Sequence, residues 1–212
     1  MHFGDRLDLL VNNAGLGIPV EHAQVKEYWS SFKFTMQVNL MSAAQLTLLC
    51  APLLKQTARN LREKEKYSSS ADDDIGASTL NRQATTSVIN IGSLAAHRPT
   101  QSLAAYGTSK CALDFYSKCM AVELAPYVRV NCINPGPVAT KIIERAGFDL
   151  DQFREISNQL SPLKRLAEPT EVAHSVLFLA DYERAGYITG ASLTIDGGCV
   201  LIPLQWNFPA TG

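Results

Sequence analysis

SVINIGSLAAHRPTQSLAAYGTSK, Ser87 to Lys110, is the stretch whose reading decides the fold. SVINI is a short apolar, β-branched run ended by Gly92 and Ser93, the pattern of a buried strand in a parallel sheet. Beyond it, AAYGTSKCALDFYSKCMAVEL reads as a helix from Ala104 to Leu124, in which Tyr106 and Lys110 lie four apart and so one turn apart on one face. A hydroxyl at a strand end, a phenol and an ammonium therefore come within reach of one another. That is an acid/base arrangement.

Magnitudes support a task for the lysine. A free tyrosine titrates near pH 10, so proton transfer at neutral pH asks for a shift worth about 3 to 4 kcal/mol. One cation about 4 to 5 Å away, at an effective dielectric near 20, supplies roughly that amount. A tyrosine followed by lysine also arises by chance, as a packed phenol and a solvated amine. Of the seven tyrosines, however, only Tyr106 has lysine at this offset and follows a strand ending in serine.

Composition narrows the class. The 212 residues are 46% hydrophobic and 18% charged with a net charge of −1, enough for one domain with a substantial core. There is no basic excess to suggest a nucleic-acid partner and no acidic tail. LMSAAQLTLLCAPLL is apolar but is read as too short, and too interrupted by Ser42, Gln45 and Pro52, to span a membrane. Five scattered cysteines argue against a disulfide framework and for reduced, buried thiols, and four histidines show no metal-ligand spacing with them. No signal or transit segment is visible at Met1. The expected compartment is the cytoplasm, with the true amino terminus expected to be absent.

Outward from the central stretch, the chain opens on LDLLVNNAG, whose unbroken Leu9-Leu10-Val11 run suits a strand covered on both faces. Gly15-Leu16-Gly17 could begin a phosphate-binding GxGxxG turn, but the third glycine position is Val20 and Pro19 interrupts it. After a connection around Glu21 to Ser31, FKFTMQVNLMSAAQLTLLCAPLL reads as a long helix broken near Pro52. Asn39 is unfavourable inside it, which asks for a reason. Lys55 to Thr86 is far longer than an ordinary helix-to-strand connection, and residues 55–86 are expected to form a disordered insertion at the amino ends of the strands, away from ligand sites. VRVNCINPG, Val128 to Gly136, gives a strand and a turn, Pro169 opens a helix, and SLTIDGG supplies the last strand. The tail LIPLQWNFPATG is apolar enough to pack against another subunit.

Six ordered pieces, LDLLVNNAG, VNL, VINIGS, YGTSK, NPGPVAT and IDGG, together with the thirteen-residue gap between Ser93 and Tyr106, resemble the short-chain dehydrogenase/reductase family. The resemblance runs from residue 7 to residue 198. It implies a Rossmann-like α/β fold, a doubly wound parallel sheet with helices on both faces, here a single partial domain over 1–212 lacking the first βαβαβ portion. It further implies hydride transfer between NAD or NADP, the choice being unreadable, and a small-molecule carbonyl or secondary alcohol. Tyr106 would be the acid/base, Ser93 would bond the carbonyl oxygen, Lys110 would depress the phenol and hold the nicotinamide ribose, and Asn39 would anchor a relay water. Asn12, Asn13, Ala14 and Gly15 would lie against the cofactor's adenosine half, and Pro135, Gly136, Val138 and Thr140 would hold its carboxamide end. Lys141 to Glu168 would cover the substrate. No metal is implied, and the complete form is expected to be a homo-oligomer.

Without the upstream pyrophosphate loop the dinucleotide lacks its main anion site, so impaired activity is expected. The rival is a non-catalytic, enzyme-derived interaction module that pairs its first strand, Asp8 to Val11, with a partner. Saturable NAD(P)H binding separates the two.

Overall fold

The computed structural model describes residues 4–18, 25–68, 83–145 and 149–202. Among them, four strands form one parallel sheet in the order β1 (Leu9–Asn12), β2 (Thr86–Ile91), β3 (Val128–Pro135) and β4 (Ser192–Ile195). A parallel neighbour requires a crossover, and helices supply each one. Between β1 and β2 run α1 (Val25–Met36), a π-helical turn (Gln37–Met41) and α2 (Ser42–Ser68); α3 (Ala104–Leu124) joins β2 to β3. Among the described residues, α4 (Lys141–Arg145), α5 (Leu150–Leu160), α6 (Pro169–Ala180) and α7 (Tyr182–Ala185) lie between β3 and β4.

Alternation along the strands splits the core into two layers. Val88, Val128 and Val130 face α2 and α3, packing with Ala51, Leu54, Met120, Ala121 and Leu124. Ile89 and Ile133 point the other way, against Leu179 of α6 and Ala185 of α7. A fully buried aliphatic side chain of this size contributes about 2 kcal/mol. Helices on both faces of a parallel sheet are the α/β architecture expected from the sequence.

The crossover departs from expectation in three ways. Its helix starts at Val25, inside the anticipated connection, and α2 passes through Pro52 without ending. Because α2 continues to Ser68, the anticipated insertion at 55–86 is helical over its first part; residues 69–82, which hold most of the polar SSSADDD run, lie outside the described residues. Consequently Val25 to Glu65 is one helical rod of 41 residues, long and apolar enough in one window to cross a membrane by length and composition, which corrects the reading of it as too short. In this fold the rod packs first on α3 and then, through α2, on the sheet: Thr35, Asn39, Ala43, Thr47, Ala51, Leu54 and Ala58 form a buried stripe. A repeat of four from Thr35 to Thr47 outruns the 3.6-residue period, and the π turn takes up the extra residue. Small side chains along the stripe let helix and sheet approach closely.

β1 stands at the edge of the sheet among the described residues, with Val11 38% exposed. Of the five cysteines, Cys111 and Cys119 are exposed rather than buried, while Cys132 and Cys199 are buried.

Candidate active site

The site assembles where the parallel strands end. Lys110 reaches from α3 to the carboxyl end of β2, where its Nζ donates to the Ile91 carbonyl at 2.8 Å. The residue is 3% exposed, and burial pushes its ammonium down to about 8, an effect offset in part by the neighbouring Cys132 thiol. It stays charged at neutral pH. An ammonium has three N–H donors, and among the described residues the Ile91 carbonyl takes one, so two are left for another partner.

Tyr106 lies one turn earlier, its ring centroid 5.9 Å from the Lys110 Nζ. Burial pushes the phenol above its ordinary range, and a hydrogen bond with Ser93 pulls it part of the way back. The sign is opposite to the sequence-based expectation of a phenol depressed by lysine. The physical reason is geometric: the ammonium is bonded to the strand end rather than to the phenol, so desolvation wins. Ser93 itself follows β2 in extended conformation and caps the short turn Leu94–Ala96, its Oγ accepting the Ala95 N–H at 3.1 Å.

Asn39 sits at the centre of the π turn and is fully buried. Its Oδ1 accepts the Leu16 N–H at 2.9 Å, and its Nδ2 donates to the Leu16 carbonyl and to Ser109 Oγ, both at 2.9 Å. Ser109 Oγ in turn donates to the Tyr106 carbonyl at 2.7 Å. Asn39 thus ties the loop after β1 to the helix that carries Tyr106 and Lys110, and it meets its amide requirements without being solvent-facing.

That loop runs close over the site: a Cβ on Gly15 would come 3.1 Å from Lys110 Nζ, and one on Gly17 would touch the Tyr106 ring at 3.4 Å. Of the residues expected beside a dinucleotide, Asn12 is committed elsewhere: its Nδ2 donates to Asn90 Oδ1 at 2.8 Å and to Thr47 Oγ1 at 3.1 Å, and Asn90 Nδ2 continues to Ser117 Oγ at 2.8 Å. The side chain links β1, β2, α2 and α3, while Asn13 and Ala14 are exposed at the strand exit. Pro135 ends β3, and Gly136 packs so tightly that a Cβ there would meet Asp196 at 2.7 Å. Val138 pairs with Ala167 in an isolated bridge, and the Thr140 carbonyl accepts the Ile143 N–H at 3.2 Å at the start of α4. Gly147 and Phe148 of the expected cover lie outside the described residues, as do Pro19 and Val20.

A nicotinamide ribose fits what is here. A buried cation with two unassigned N–H donors beside a phenol suits a diol, and the Gly15 and Gly17 backbones clear the approach. For the pyrophosphate, no glycine-rich loop opening a helix follows β1 among the described residues, so the fit is to the nicotinamide end.

The sequence reading missed a second layer. Asn134, Asp114, His97 and Ser192 bond to one another behind Ser93. The available signal was Asp114 midway between Lys110 and Lys118, at four-residue steps along α3, with a glycine preceding Ser93.

Several known proteins resemble this chain. A family model described as Enoyl-(Acyl carrier protein) reductase matches residues 76–200. The short-chain dehydrogenase anuF of Penicillium roqueforti is 32% identical over 93% of this chain and 67% of its own length. Among solved structures, the Pseudomonas aeruginosa RhlG/NADP active-site complex is similar with a TM-score of 0.74 and 30% identity, over 94% of this chain and 68% of that one. The 3-ketoacyl-(acyl-carrier-protein) reductase of Brucella melitensis complexed with NADH gives 0.69 and 28%, over 92% and 68%. The chain spans 44% to 69% of the length of the curated relatives it matches. A parallel α/β sheet, a serine, tyrosine and lysine gathered at its carboxyl end, and these matches together establish that the chain belongs to the short-chain dehydrogenase/reductase family of NAD(P)-linked oxidoreductases.

Proposed function

We propose that this chain supplies the acid/base half of a reaction interconverting a small carbonyl compound and its secondary alcohol with NAD or NADP. The observation that carries the reading is Lys110, a buried ammonium with two uncommitted donors beside a phenol that is bonded to Ser93. When bound, the nicotinamide cofactor supplies or accepts the hydride. Lys110, with the backbone at Gly15, would hold its ribose; Asn13, Ala14, Pro135, Gly136, Val138 and Thr140 border the same strand ends, and Asn12 contributes by fixing the loop.

In the direction of reduction, Ser93 Oγ donates to the carbonyl oxygen and Tyr106 passes its phenolic proton to that oxygen as it becomes an alcohol. A phenol raised by burial is fully protonated at pH 7, which suits it to this donation. Alcohol oxidation needs the phenolate and so gains as pH rises. Asn39 keeps the Leu16 loop and α3 in register, and a water relay from Lys110 would pass beside it. The segment from Lys141 to Glu168 is the substrate cover in this reading.

Residues 1–212 are best read as part of one Rossmann-type domain, with further strand pairing at the exposed β1 edge. Exposed apolar side chains on α3, Phe115 at 67% and Val122 at 80%, together with Met41, Leu48 and Leu49 on the long rod, favour a homo-oligomer. A direct test is titration of the chain with NADPH and NADH, followed by nicotinamide fluorescence. Saturable binding that weakens at least about tenfold in Lys110→Met, the loss of one charge-assisted bond or more, is expected. Binding that is unchanged in Lys110→Met would overturn the ribose assignment.

A further inference from the structure

Ser93 is held by a side chain that no part of the proposed chemistry uses. Asn134, fully buried at the end of β3, accepts the Ser93 N–H on Oδ1 at 3.0 Å. Its Nδ2 donates to Ser192 Oγ at 2.8 Å and to Asp114 Oδ1 at 3.0 Å, with His97 Nε2 at 3.2 Å. Asp114 Oδ2 accepts from Lys118 Nζ at 2.8 Å. Gly92 has no room for a Cβ because the Asn134 amide oxygen occupies that space.

The orientation of the amide follows from chemistry. An ionised carboxylate only accepts hydrogen bonds, so the Asn134 NH₂ must face Asp114. Its oxygen is thereby turned to the Ser93 N–H; a flipped amide would set N–H against N–H and oxygen against oxygen. Lys118 keeps Asp114 ionised, since the ion pair and the bonds from Ser192 and Asn134 hold the carboxyl below its ordinary range despite burial. With two hydrogens on Nδ2, Ser192 and Asp114 are the two nearest acceptors.

We infer that Asn134 is a positioning residue that sets the Ser93 hydroxyl against Tyr106, and that Asp114 fixes the hand of its amide. The inference rests on the proposed role of Ser93, but its test does not need turnover. The bond from Ser93 lowers the Tyr106 phenol, so displacing Ser93 raises it.

Two readouts on the full chain decide the matter: amide hydrogen exchange at Ser93 and the ultraviolet titration of Tyr106, assigned by difference from Tyr106→Phe. In Asn134→Leu, exchange at Ser93 is expected to quicken about tenfold or more while Ser87, bonded to the Asp8 carbonyl at 3.0 Å, keeps its protection, and Tyr106 titrates higher than in the parent. Asp114→Asn, nearly the same size, removes the enforced orientation and gives the same changes, smaller. Where turnover is measured, Asn134→Leu lowers kcat by about 10- to 100-fold with KM held within about twofold. Ser93 exchange and Tyr106 titration at parental values in Asp114→Asn and Asn134→Leu alike would overturn the inference. Absence of turnover in the parent would count against the proposed function alone. Should Asn134→Leu fail to fold, Asp114→Asn decides by the same two readouts.

Discussion

Two buried cations sit at opposite ends of the same sheet, and they are used differently. Arg129, at the amino end of β3, donates to Thr85 Oγ1 at 2.9 Å and to the carbonyls of Leu179, Ala180 and Ile188 at 2.7, 3.0 and 3.3 Å. Four of the five N–H donors of its guanidinium fork are taken, and it fastens β3 to the chain at the ends of α6 and α7. Lys110, at the carboxyl end of β2, meets one carbonyl and keeps two donors. Both are pushed down by desolvation. A buried cation with four of its five donors taken is a structural clasp; one with two of three to spare among the described residues bears its desolvation with fewer bonds to offset it, which marks it as held ready for a ligand.

The contrast breaks if the two residues respond alike to substitution. Arg129→Leu is expected to destabilise by about 3 to 5 kcal/mol, because several buried carbonyls lose a charged donor at once, and urea unfolding measures it. The same change should leave the Tyr106 titration where it was.

Lys110 sharpens the contrast through pH. Its folded-state value, about 8, lies below the ordinary 10.5. Between those values the unfolded chain binds more protons than the folded one, so stability rises with pH through this window. The gain from this residue is about 3 kcal/mol in all, and below about pH 8 the full desolvation cost is felt. Lys110→Met should flatten that slope and be no less stable than the parent at pH 7, the reverse of Arg129→Leu. Denaturant melts at pH 7, 8, 9 and 10 give the comparison.

A smaller effect is expected at Asn39. Asn39→Leu leaves the Leu16 N–H and carbonyl without partners and costs about 2 kcal/mol. Proteolysis between Gly15 and Ile18 should quicken with it. Smallest of all is the Arg165 to Glu171 pair at the exposed start of α6. Arg165→Ala should return the Glu171 carboxyl from about 2 toward its ordinary range and leave both buried cations unaffected, as carboxylate NMR titration would show.

Much of this is legible in the amino-acid sequence alone. SVINI, VRVNCINPG and SLTIDGG announce their strands because apolar β-branched runs between helical stretches have few other homes, and Tyr106, Lys110 and Ser93 follow from spacing along one helix and one strand exit. What is illegible depends on three dimensions. The π turn at Asn39 leaves no mark in composition; it keeps the stripe from Thr35 to Thr47 on the buried side, against α3 and then the sheet. Pro52 reads as a helix break, yet packing of Ala51, Leu54 and Ala58 on either side carries α2 through it. The sign of the phenol shift escapes a reading by spacing, because a helical turn brings an ammonium near a ring without saying which acceptor it will take. Asn134 and Asp114, distant in sequence and ordinary in type, become a pair only once β3 lies beside α3.

Steady-state reduction of a panel of small ketones with NADPH or NADH, run on the parent and on Tyr106→Phe, tests the acid/base assignment most directly. Removal of a single hydroxyl should lower kcat by about 10²- to 10⁴-fold while the nicotinamide dinucleotide still binds and the fold is kept. Equal rates for the two proteins would contradict it.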